Sequence, residues 1–465
     1  MRTLEITLIA LELLAVLVWL FRRKAWRDWL KMLALGVAGL GIAQVVVEGT
    51  RWQMFPAYAA AALLPALAFL ERLPSKRIAA LMGVATALLL IASAVLGSVL
   101  PIFTLPTPDG PHAIGTVTNT WFRPVASRDG AALWTPSQKI IVQLWYPAET
   151  HRHIKLAPYR DKEEGWLLTR YLSLVRTHAQ IGVPVANARH TYPVLLFSPA
   201  YNSGRTQYTF LYEMLASHGF IVAAMEHSPD APDNHFDLFN NARVQEIGAM
   251  AHRRGEDALF VLDQLTELDE SDPDGLITGR LDLSRVGILG HSFGGATAAE
   301  ACWMDSRFKA GIDMDGDLYG EVADVDAPQP FFFMNSDGPD TLSARLSAAD
   351  ARTRFGAQME ALDRKRKAAW LAQRGGYDLT IVGSLHMDYS DRPMFSPLKR
   401  LSGRGDIDPQ HERQIINAYV LAFFEIYLNG KAEPILDGST NTDPAVRFKA
   451  YSSWGAQSRL TKPLH

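Results

Sequence analysis

A serine flanked by glycines, in the segment GHSFGG at residues 290–295, constrains the fold of this 465-residue chain more than any other feature. The apolar run at residues 285–289 before it is typical of a buried strand, and the alanine-rich run at 296–301 after it predicts a helix start. A serine at such a turn is held in a strained backbone conformation, in which side chains on the flanking glycines would clash. The pattern therefore predicts that Ser292 is a nucleophile at a strand-to-helix turn, where the helix N-terminus favours developing negative charge.

Short apolar runs alternate with helical patterns in the part of the chain after residue 115. The runs typical of buried strands are residues 140–145, 194–197, 220–225, 285–289, 331–334 and 379–382. Helical patterns between or after them cover residues 207–217, 256–268 and 410–428. Nearly continuous apolar strands separated by helices predict a mostly parallel sheet with helices on both faces. Together with the turn at Ser292, this predicts an α/β-hydrolase fold.

The first hundred residues are mostly Leu, Ala, Val, Ile and Gly, unlike the rest of the chain. Four apolar stretches in this region are each close to the roughly 20 residues that a helix needs to cross a bilayer. They cover residues 4–21, 30–47, 54–70 and 78–100. We therefore predict an all-α transmembrane module of four helices over residues 1–100. A linker rich in Pro, Thr and Gly follows over residues 101–115, and a catalytic domain over residues 116–465.

Basic residues between the apolar stretches predict the orientation of this module. They cluster between the first and second stretches and between the third and fourth, at Arg22, Arg23, Lys24, Arg27, Lys31, Arg72, Lys76 and Arg77. Because basic loops stay on the cytoplasmic side, the N-terminus and everything after Leu100 are predicted to lie outside. The expected location is thus a membrane, with a bacterial inner or plasma membrane favoured, and a catalytic domain on its extracytoplasmic side.

Two alternatives concern the first and third apolar stretches. The first could be a cleaved signal peptide, but it lacks a small-x-small site before Arg22 and its apolar core is long. The third contains Pro56 and Pro65 and could lie at the interface instead of crossing the bilayer. An odd number of spans would place the catalytic domain in the cytoplasm.

Charge and cysteine content narrow the classes of partner. The net charge is −3, and nothing in the charge balance indicates nucleic acid binding. Cys302 is the single cysteine, so the chain has no intramolecular disulfide. We predict that Cys302 is a small packed residue and not a reactive thiol. An acidic cluster contains Asp230, Asp233, His235 and Asp237. It lacks the histidine pair or cysteine spacing of a metal site, so we predict a solvated loop, no metal and no cofactor.

A serine nucleophile needs a base and an orienting carboxylate, which follow it along the chain in this fold. The histidines after Ser292 are His386, His411 and His465, of which His386 is favoured because it follows a predicted strand end. The acid is expected after the strand that follows the turn, where the candidates are Asp313, Asp315 and Asp317. Alternation along a strand puts Asp313 and Asp315 on one face, so the pattern leaves both open.

Stabilising the oxyanion needs two backbone N–H groups. One is expected from Phe293, the residue after the nucleophile, and the other from the loop after an earlier strand. In that loop Pro199 has no amide hydrogen, so Tyr201 is the favoured donor and Ala200 the alternative.

Several segments, taken together and in order, resemble the plasma platelet-activating-factor acetylhydrolase family of α/β-hydrolases. These enzymes are calcium-independent phospholipases A2 of the lipoprotein-associated type. The segments lie within residues 115–430, at 193–198, 215–227, 290–297, 307–315, 328–336, 383–386 and 405–408. The resemblance implies Ser292 as nucleophile, Asp315 as acid and His386 as base, with the amides of Tyr201 and Phe293 around the oxyanion.

The resemblance also implies an activity. Family members hydrolyse the sn-2 ester of phospholipids with short or oxidised acyl chains, and we expect a lipid or small-ester substrate here. The chain departs from the family at Pro199-Ala200, where His-Gly is usual, and at Gly316-Asp317, where an aromatic residue is usual. Both departures bear on the substrate more than on the reaction. The alternatives are a general carboxylesterase or polyester hydrolase and, from another class, a non-catalytic membrane scaffold or sensor.

Overall fold

The structure is a computed structural model. It describes residues 1–21, 27–69, 75–124, 138–149, 155–162, 164, 166–228, 241–325, 327–338, 342–438 and 442–451. The chain forms two compact units. One, the helical unit, consists of Met1–Leu105, Pro158–Thr177 and Met394–Ser402. The other, the sheet unit, consists of Pro106–Ala157, His178–Pro393 and Gly403–His465. The helical unit thus includes two later segments that the predicted domain boundaries placed in the catalytic domain.

Four apolar helices make up most of the helical unit: α1 (Thr3–Phe21), α2 (Arg27–Glu48), α3 (Phe55–Ala68) and α4 (Lys76–Val99). Among the described residues, three helices are long and apolar enough to cross a bilayer, over Thr3–Leu20, Asp28–Glu48 and Arg77–Val99. The 14 residues of α3 rise only about 21 Å, less than the roughly 30 Å of a hydrocarbon core. Three helices are therefore candidate spans, and a fourth span stays a prediction.

Polar and aromatic contacts hold the non-helical parts of this unit. The Arg51 guanidinium forms a fully buried ion pair with Glu5 at 2.7 Å and donates to the Leu100 carbonyl at 3.0 Å. The two later segments contribute to one small core, in which Phe103 stacks on Phe395 with ring centroids 5.5 Å apart. These contacts explain why segments distant in sequence belong to the helical unit.

Eleven strands are described in one sheet. They are β1 (Ala113–Arg123), β2 (Gln138–Ala148), β3 (Leu156–Pro158), β4 (Arg176–Ile181), β5 (Tyr192–Ser198), β6 (Ile221–Glu226), β7 (Leu281–His291), β8 (Phe308–Met314), β9 (Phe331–Ser336), β10 (Gly376–Ile381) and β11 (Val446–Tyr451). Their order is β11-β10-β9-β8-β7-β5-β6-β2-β1-β4-β3. The six central strands from β10 to β6 are parallel, and β2 and β11 pair antiparallel at either side. The predicted strands lie in β2, β5, β6, β7, β9 and β10.

The remaining helices are α5 (Thr209–Ser217), α6 (Asn241–Glu270), α7 (Phe293–Met304), α8 (Val322–Val325), α9 (Leu342–Leu346), α10 (Ala351–Arg374), α11 (Arg392–Phe395), α12 (Lys399–Ser402) and α13 (Pro409–Asn429). Both faces of the sheet are covered, because adjacent residues of β7 enter different cores. Ile288 packs with residues of α6, α7 and α10, and Leu289 packs with residues of α5 and α13. Cys302 is buried in the first of these cores. This is the predicted α/β-hydrolase fold, with its parallel strands ending at one edge.

Candidate active site

The turn at Ser292 has the strained geometry that the sequence predicts. Strand β7 ends at His291, helix α7 begins at Phe293, and Ser292 between them has φ 57° and ψ −123°. A Cβ atom on Gly290 would collide with the backbone of Gly294, and one on Gly294 would collide with the Ser198 carbonyl. Glycine at both positions therefore lets the turn close with the Ser292 hydroxyl at the carboxyl edge of the sheet.

The structure brings Ser292, His386 and Asp315 together. His386 Nε2 lies 2.9 Å from Ser292 Oγ, and His386 Nδ1 lies 2.6 Å from Asp315 Oδ2. The three residues follow β7, β8 and β10, whose carboxyl ends share one edge of the sheet. Asp315 also accepts hydrogen bonds from the Ser336 amide at 2.6 Å and hydroxyl at 3.0 Å. The side chain of His386 is 47% exposed, which leaves its reactive nitrogen within reach of a substrate.

Asp313, the other candidate acid, makes different contacts. Its carboxylate accepts from the Gly316 amide at 2.8 Å and pairs with Lys367 of α10 at 3.2 Å. The two aspartates do not share a face because Asp315 has a positive φ of 54°, which ends the strand alternation after Met314. Lys367 also donates to the Gly316 carbonyl at 2.5 Å, so α10 holds the turn that carries Asp315. Among the described residues, Asp315 is the carboxylate that contacts His386 Nδ1.

The contacts between Asp315 and His386 shift both pKa values. Burial alone would raise the pKa of Asp315, but hydrogen bonds from His386 and Ser336 and the nearby His386 charge lower it to about 2. Burial alone would lower the pKa of His386, but the hydrogen bond and negative charge of Asp315 raise it above its usual value. The pair thus favours an aspartate anion beside an imidazole of increased basicity.

The shifted pKa of His386 predicts the acid limb of the pH profile. Only a neutral imidazole can accept the Ser292 proton, so kcat/KM should increase with pH as His386 loses its proton. The midpoint is expected above the ordinary value of 6.5 and should move down in Asp315→Asn, which removes the negative charge. Measuring kcat/KM of a neutral ester from pH 4 to 9 tests this. A limb at or below the ordinary value in the wild type would contradict it.

The predicted oxyanion donors come from two elements. Phe293 is the first residue of α7, and Tyr201 lies in the loop that follows β5. The amide of Ala200, the alternative donor, is 3.3 Å from the Tyr208 hydroxyl and donates to it, which favours Tyr201. The rings of Tyr201 and Phe293 pack edge to face with centroids 6.3 Å apart. The structure therefore brings Tyr201 into contact with Phe293, the residue directly after Ser292.

His291 joins the two sides of the site, a role that the sequence did not indicate. Its Nε2 donates to the His386 carbonyl at 2.8 Å, and its Nδ1 accepts from the Tyr208 hydroxyl at 2.9 Å. Complete burial, with the nearby His386 charge, lowers the pKa of His291 to about 3, so the ring stays neutral with its proton on Nε2. The relay from His386 through His291 and Tyr208 to Ala200 links the predicted base to the loop that is predicted to bind the oxyanion. The sequence shows His291 only as a histidine inside the glycine motif, which does not by itself indicate this role.

Ligand atoms of His291, Asp315 and His386 lie within 4.8 Å of one another, a separation compatible with a metal ion. Hydrogen bonds already engage each of these side chains, and His291 uses both of its ring nitrogens. The acidic cluster of Asp230, Asp233, His235 and Asp237 lies outside the described residues, as does His465. His411 is in α13, where it pairs with Asp443 at 3.0 Å. The absence of a metal or cofactor stays a prediction.

Comparison with known proteins gives two family matches. A model described as platelet-activating factor acetylhydrolase, isoform II, matches residues 102–246 and 267–438. A model described as PET hydrolase-like matches residues 177–349. The first match covers more than half of the chain and contains every residue placed in the site above.

Individual relatives agree with these matches. The platelet-activating factor acetylhydrolase of Cavia porcellus is 28% identical over 360 residues, which are 70% of this chain and 78% of that protein. A probable 1-alkyl-2-acetylglycerophosphocholine esterase of Arthroderma benhamiae is 27% identical over 282 residues, 56% of this chain and 66% of that protein. Among solved structures, a ferulic acid esterase from Streptomyces cinnamoneus has a TM-score of 0.56 at 25% identity, covering 75% of this chain and 99% of that one.

These relatives differ in the compounds their names mention, but all are named as ester-cleaving enzymes. Their shared chemistry, the α/β-hydrolase fold and the Ser292 turn agree with one reaction type. The protein is a serine ester hydrolase, and the chain belongs to the platelet-activating factor acetylhydrolase, isoform II, family.

Proposed function

We propose that this protein hydrolyses the sn-2 ester of glycerophospholipids that carry a short or oxidised acyl chain, without calcium, through an acyl-enzyme on Ser292. The observation that carries the proposal is the continuous contact from Ser292 through His386 to Asp315, in a chain whose family match spans residues 102–246 and 267–438. The relatives named for platelet-activating factor, an sn-2 acetyl phospholipid, support this substrate class.

The geometry supports a two-step reaction. Ser292 Oγ attacks the ester carbonyl carbon while His386 Nε2 takes its proton, and the amides of Phe293 and Tyr201 bind the oxyanion. His386 returns that proton to the leaving alkoxide, which departs as a lysophospholipid. Water then attacks the acyl-enzyme, again with His386 as the base, and the carboxylic acid leaves as Ser292 regains its proton. Asp315 holds the imidazole in the required tautomer throughout.

A second candidate is a general carboxylesterase or polyester hydrolase with the same residues and no phospholipid preference. The PET hydrolase-like match over residues 177–349 and the ferulic acid esterase structure favour it. A non-catalytic scaffold is disfavoured, because the hydrogen bonds that a nucleophilic serine needs are present.

A substrate panel distinguishes these candidates. The full chain in detergent is supplied with phosphatidylcholines bearing sn-2 acetyl, short, oxidised or long acyl groups, and with simple short-chain esters. Ser292→Ala is the blank, and a calcium chelator is added in a parallel series. We expect Ser292-dependent turnover of the acetyl and oxidised phospholipids, undiminished by the chelator. Turnover of simple esters alone would establish the general esterase, and loss of activity with the chelator would contradict calcium independence.

We also propose that the helical unit anchors the enzyme in a membrane with the sheet unit on the extracytoplasmic side. The length and apolar composition of α1, α2 and α4 support insertion. The proposed orientation also requires that the segment containing α3 crosses the bilayer, because only then do the basic loops after residue 21 and before residue 78 both lie on the cytoplasmic side. In a Cys302→Ala background, an impermeant maleimide should label Ser271→Cys in intact spheroplasts and should label Ala25→Cys only after lysis. The reverse pattern would place the sheet unit in the cytoplasm.

A further inference from the structure

The sheet unit contains a second arrangement of serine, histidine and aspartate, separate from the one at Ser292. Ser198 Oγ lies 2.9 Å from His227 Nε2, and His227 Nδ1 lies 2.8 Å from Asp257 Oδ2. Because a carboxylate only accepts hydrogen bonds, His227 Nδ1 donates to Asp257, and the other ring nitrogen, Nε2, bonds the Ser198 hydroxyl. The order of contacts therefore matches that of a catalytic triad.

Burial excludes a nucleophilic role for Ser198. Ser198 and Asp257 are fully buried, and His227 is only 9% exposed. The backbone of Gly294 packs so closely on the Ser198 carbonyl that no Cβ atom fits between them. Because Ser198 has no exposed surface, its Oγ is not accessible to a substrate carbonyl in this structure, and this arrangement needs another explanation.

The position of Ser198 supplies one. It is the last residue of β5 and directly precedes the oxyanion loop, residues 199–204. The same residue contacts the Ser292 turn through Gly294. The separation between the two predicted oxyanion donors, Tyr201 in the loop and Phe293 after the turn, therefore depends on where Ser198 sits. A shift of Ser198 would move one donor relative to the other.

Helix α6 anchors this point through two residues one turn apart. Asp257 holds His227 and is itself fixed by Arg123 Nε at 2.7 Å and Gln138 Nε2 at 3.1 Å. Arg254 Nη1 donates to the Pro199 carbonyl at 3.1 Å, and its guanidinium lies 4.9 Å from the centre of the Phe293 ring. Helix α6 thus holds two consecutive residues where the oxyanion loop begins: Ser198, through His227, and Pro199, directly.

We propose that His227, held by Asp257, is a positioning residue for the oxyanion hole and acts through the hydroxyl of Ser198. It touches no substrate atom. Its effect is on the placement of the Tyr201 amide relative to the Phe293 amide, which matters most in the transition state, when the carbonyl oxygen becomes negative. This inference rests on the proposed function, because it requires hydrolysis at Ser292 with those two donors.

A double-mutant cycle tests the inference in the full-length enzyme. His227→Phe keeps a ring of similar size but removes both hydrogen bonds, and Ser198→Ala removes the hydroxyl. Each is expected to lower kcat about 10- to 100-fold with little change in KM, a range below the loss of an oxyanion donor itself. The double variant should be no slower than the slower single variant, because both changes break the same contact.

The matched control is His252→Phe. His252 also lies on the sheet unit and pairs with a buried carboxylate, Glu300, at 3.0 Å, but it does not contact the oxyanion loop in the described residues. Its kcat should equal that of the wild type. Thermal melting of all variants monitors folding, and His227→Gln, which retains an amide able to bond Ser198, should recover part of the lost kcat.

A transition-state analogue provides a readout that a merely structural role would not change. A trifluoromethyl ketone forms a tetrahedral adduct with Ser292 Oγ and presents an oxyanion to the hole. Its Ki should increase by the same factor as kcat/KM decreases in the His227 and Ser198 variants. Unchanged kcat and Ki in folded His227→Phe, or fully additive losses in the double variant, would overturn the inference. Absence of Ser292-dependent turnover in the wild type would instead overturn the proposed function.

Discussion

Ser292→Ala is expected to lower kcat by about 10⁶-fold on any ester that the wild type hydrolyses, because Ser292 contacts His386 at the carboxyl edge of the sheet, whereas Ser198, which also contacts a histidine, is fully buried. Removing the hydroxyl removes the bond-forming atom itself, so that only oxyanion stabilisation and substrate binding remain. Hydrolysis of a chromogenic short-chain ester by purified full-length protein measures the loss.

The fold should tolerate this change. The Ser292 hydroxyl is hydrogen-bonded to His386. Ser292 lies at the edge of the sheet, outside both large hydrophobic cores. We therefore expect a melting temperature within a few degrees of the wild type. The melting temperature shows whether the variant is folded, and only a folded variant tests the identity of the nucleophile. A folded Ser292→Ala enzyme with more than about one per cent of wild-type kcat would show that another group is the nucleophile.

Asp315→Asn is expected to cost about 10⁴-fold in kcat, the second largest effect. An asparagine can donate its amide hydrogen to His386 Nδ1, which would leave the proton on Nε2. In that tautomer the nitrogen 2.9 Å from Ser292 Oγ could no longer accept the hydroxyl proton. The positive charge that forms on His386 during the reaction would also lose its neighbouring anion.

Asp313→Asn is the matched variant, with the same chemical change two residues away. The asparagine oxygen can still accept from the Gly316 amide, but the ion pair with Lys367 is lost. We expect a lower melting temperature, because Lys367 stays buried with fewer anionic partners, and a kcat loss at least 100-fold smaller than that of Asp315→Asn. A larger loss in Asp313→Asn than in Asp315→Asn would assign the role of triad acid to Asp313.

The two aspartates also show where prediction from the sequence stopped. Strand alternation placed Asp313 and Asp315 on one face, and only the resemblance to a family favoured Asp315. The structure separates them through the positive φ of Asp315, a backbone state that residue type does not specify for aspartate. Lys367, which holds Asp313, lies far along the chain in α10, so its contact could not be deduced from local pattern.

Local signals were sufficient where one residue pattern specifies one conformation. The glycines around Ser292 predicted the turn because no larger residue fits there. Strands β5 and β6 were predicted because both of their faces are buried, which makes them continuously apolar. Strand β1 was not predicted, because its second half alternates between exposed and half-buried positions. Its first residues fall in the predicted linker. Residues 158–177 and 394–402 belong to the helical unit through long-range packing, which no local pattern in the sequence shows.

Covalent labelling with a fluorophosphonate probe, followed by peptide mass spectrometry of the full-length protein, tests the central claim most directly. The probe reacts with a serine only when a base activates it and an oxyanion hole binds the phosphoryl oxygen. The account predicts one equivalent of label on the peptide containing Ser292, slowed in Asp315→Asn and absent in Ser292→Ala. Label on Ser198, or no label on an active wild-type enzyme, would contradict it.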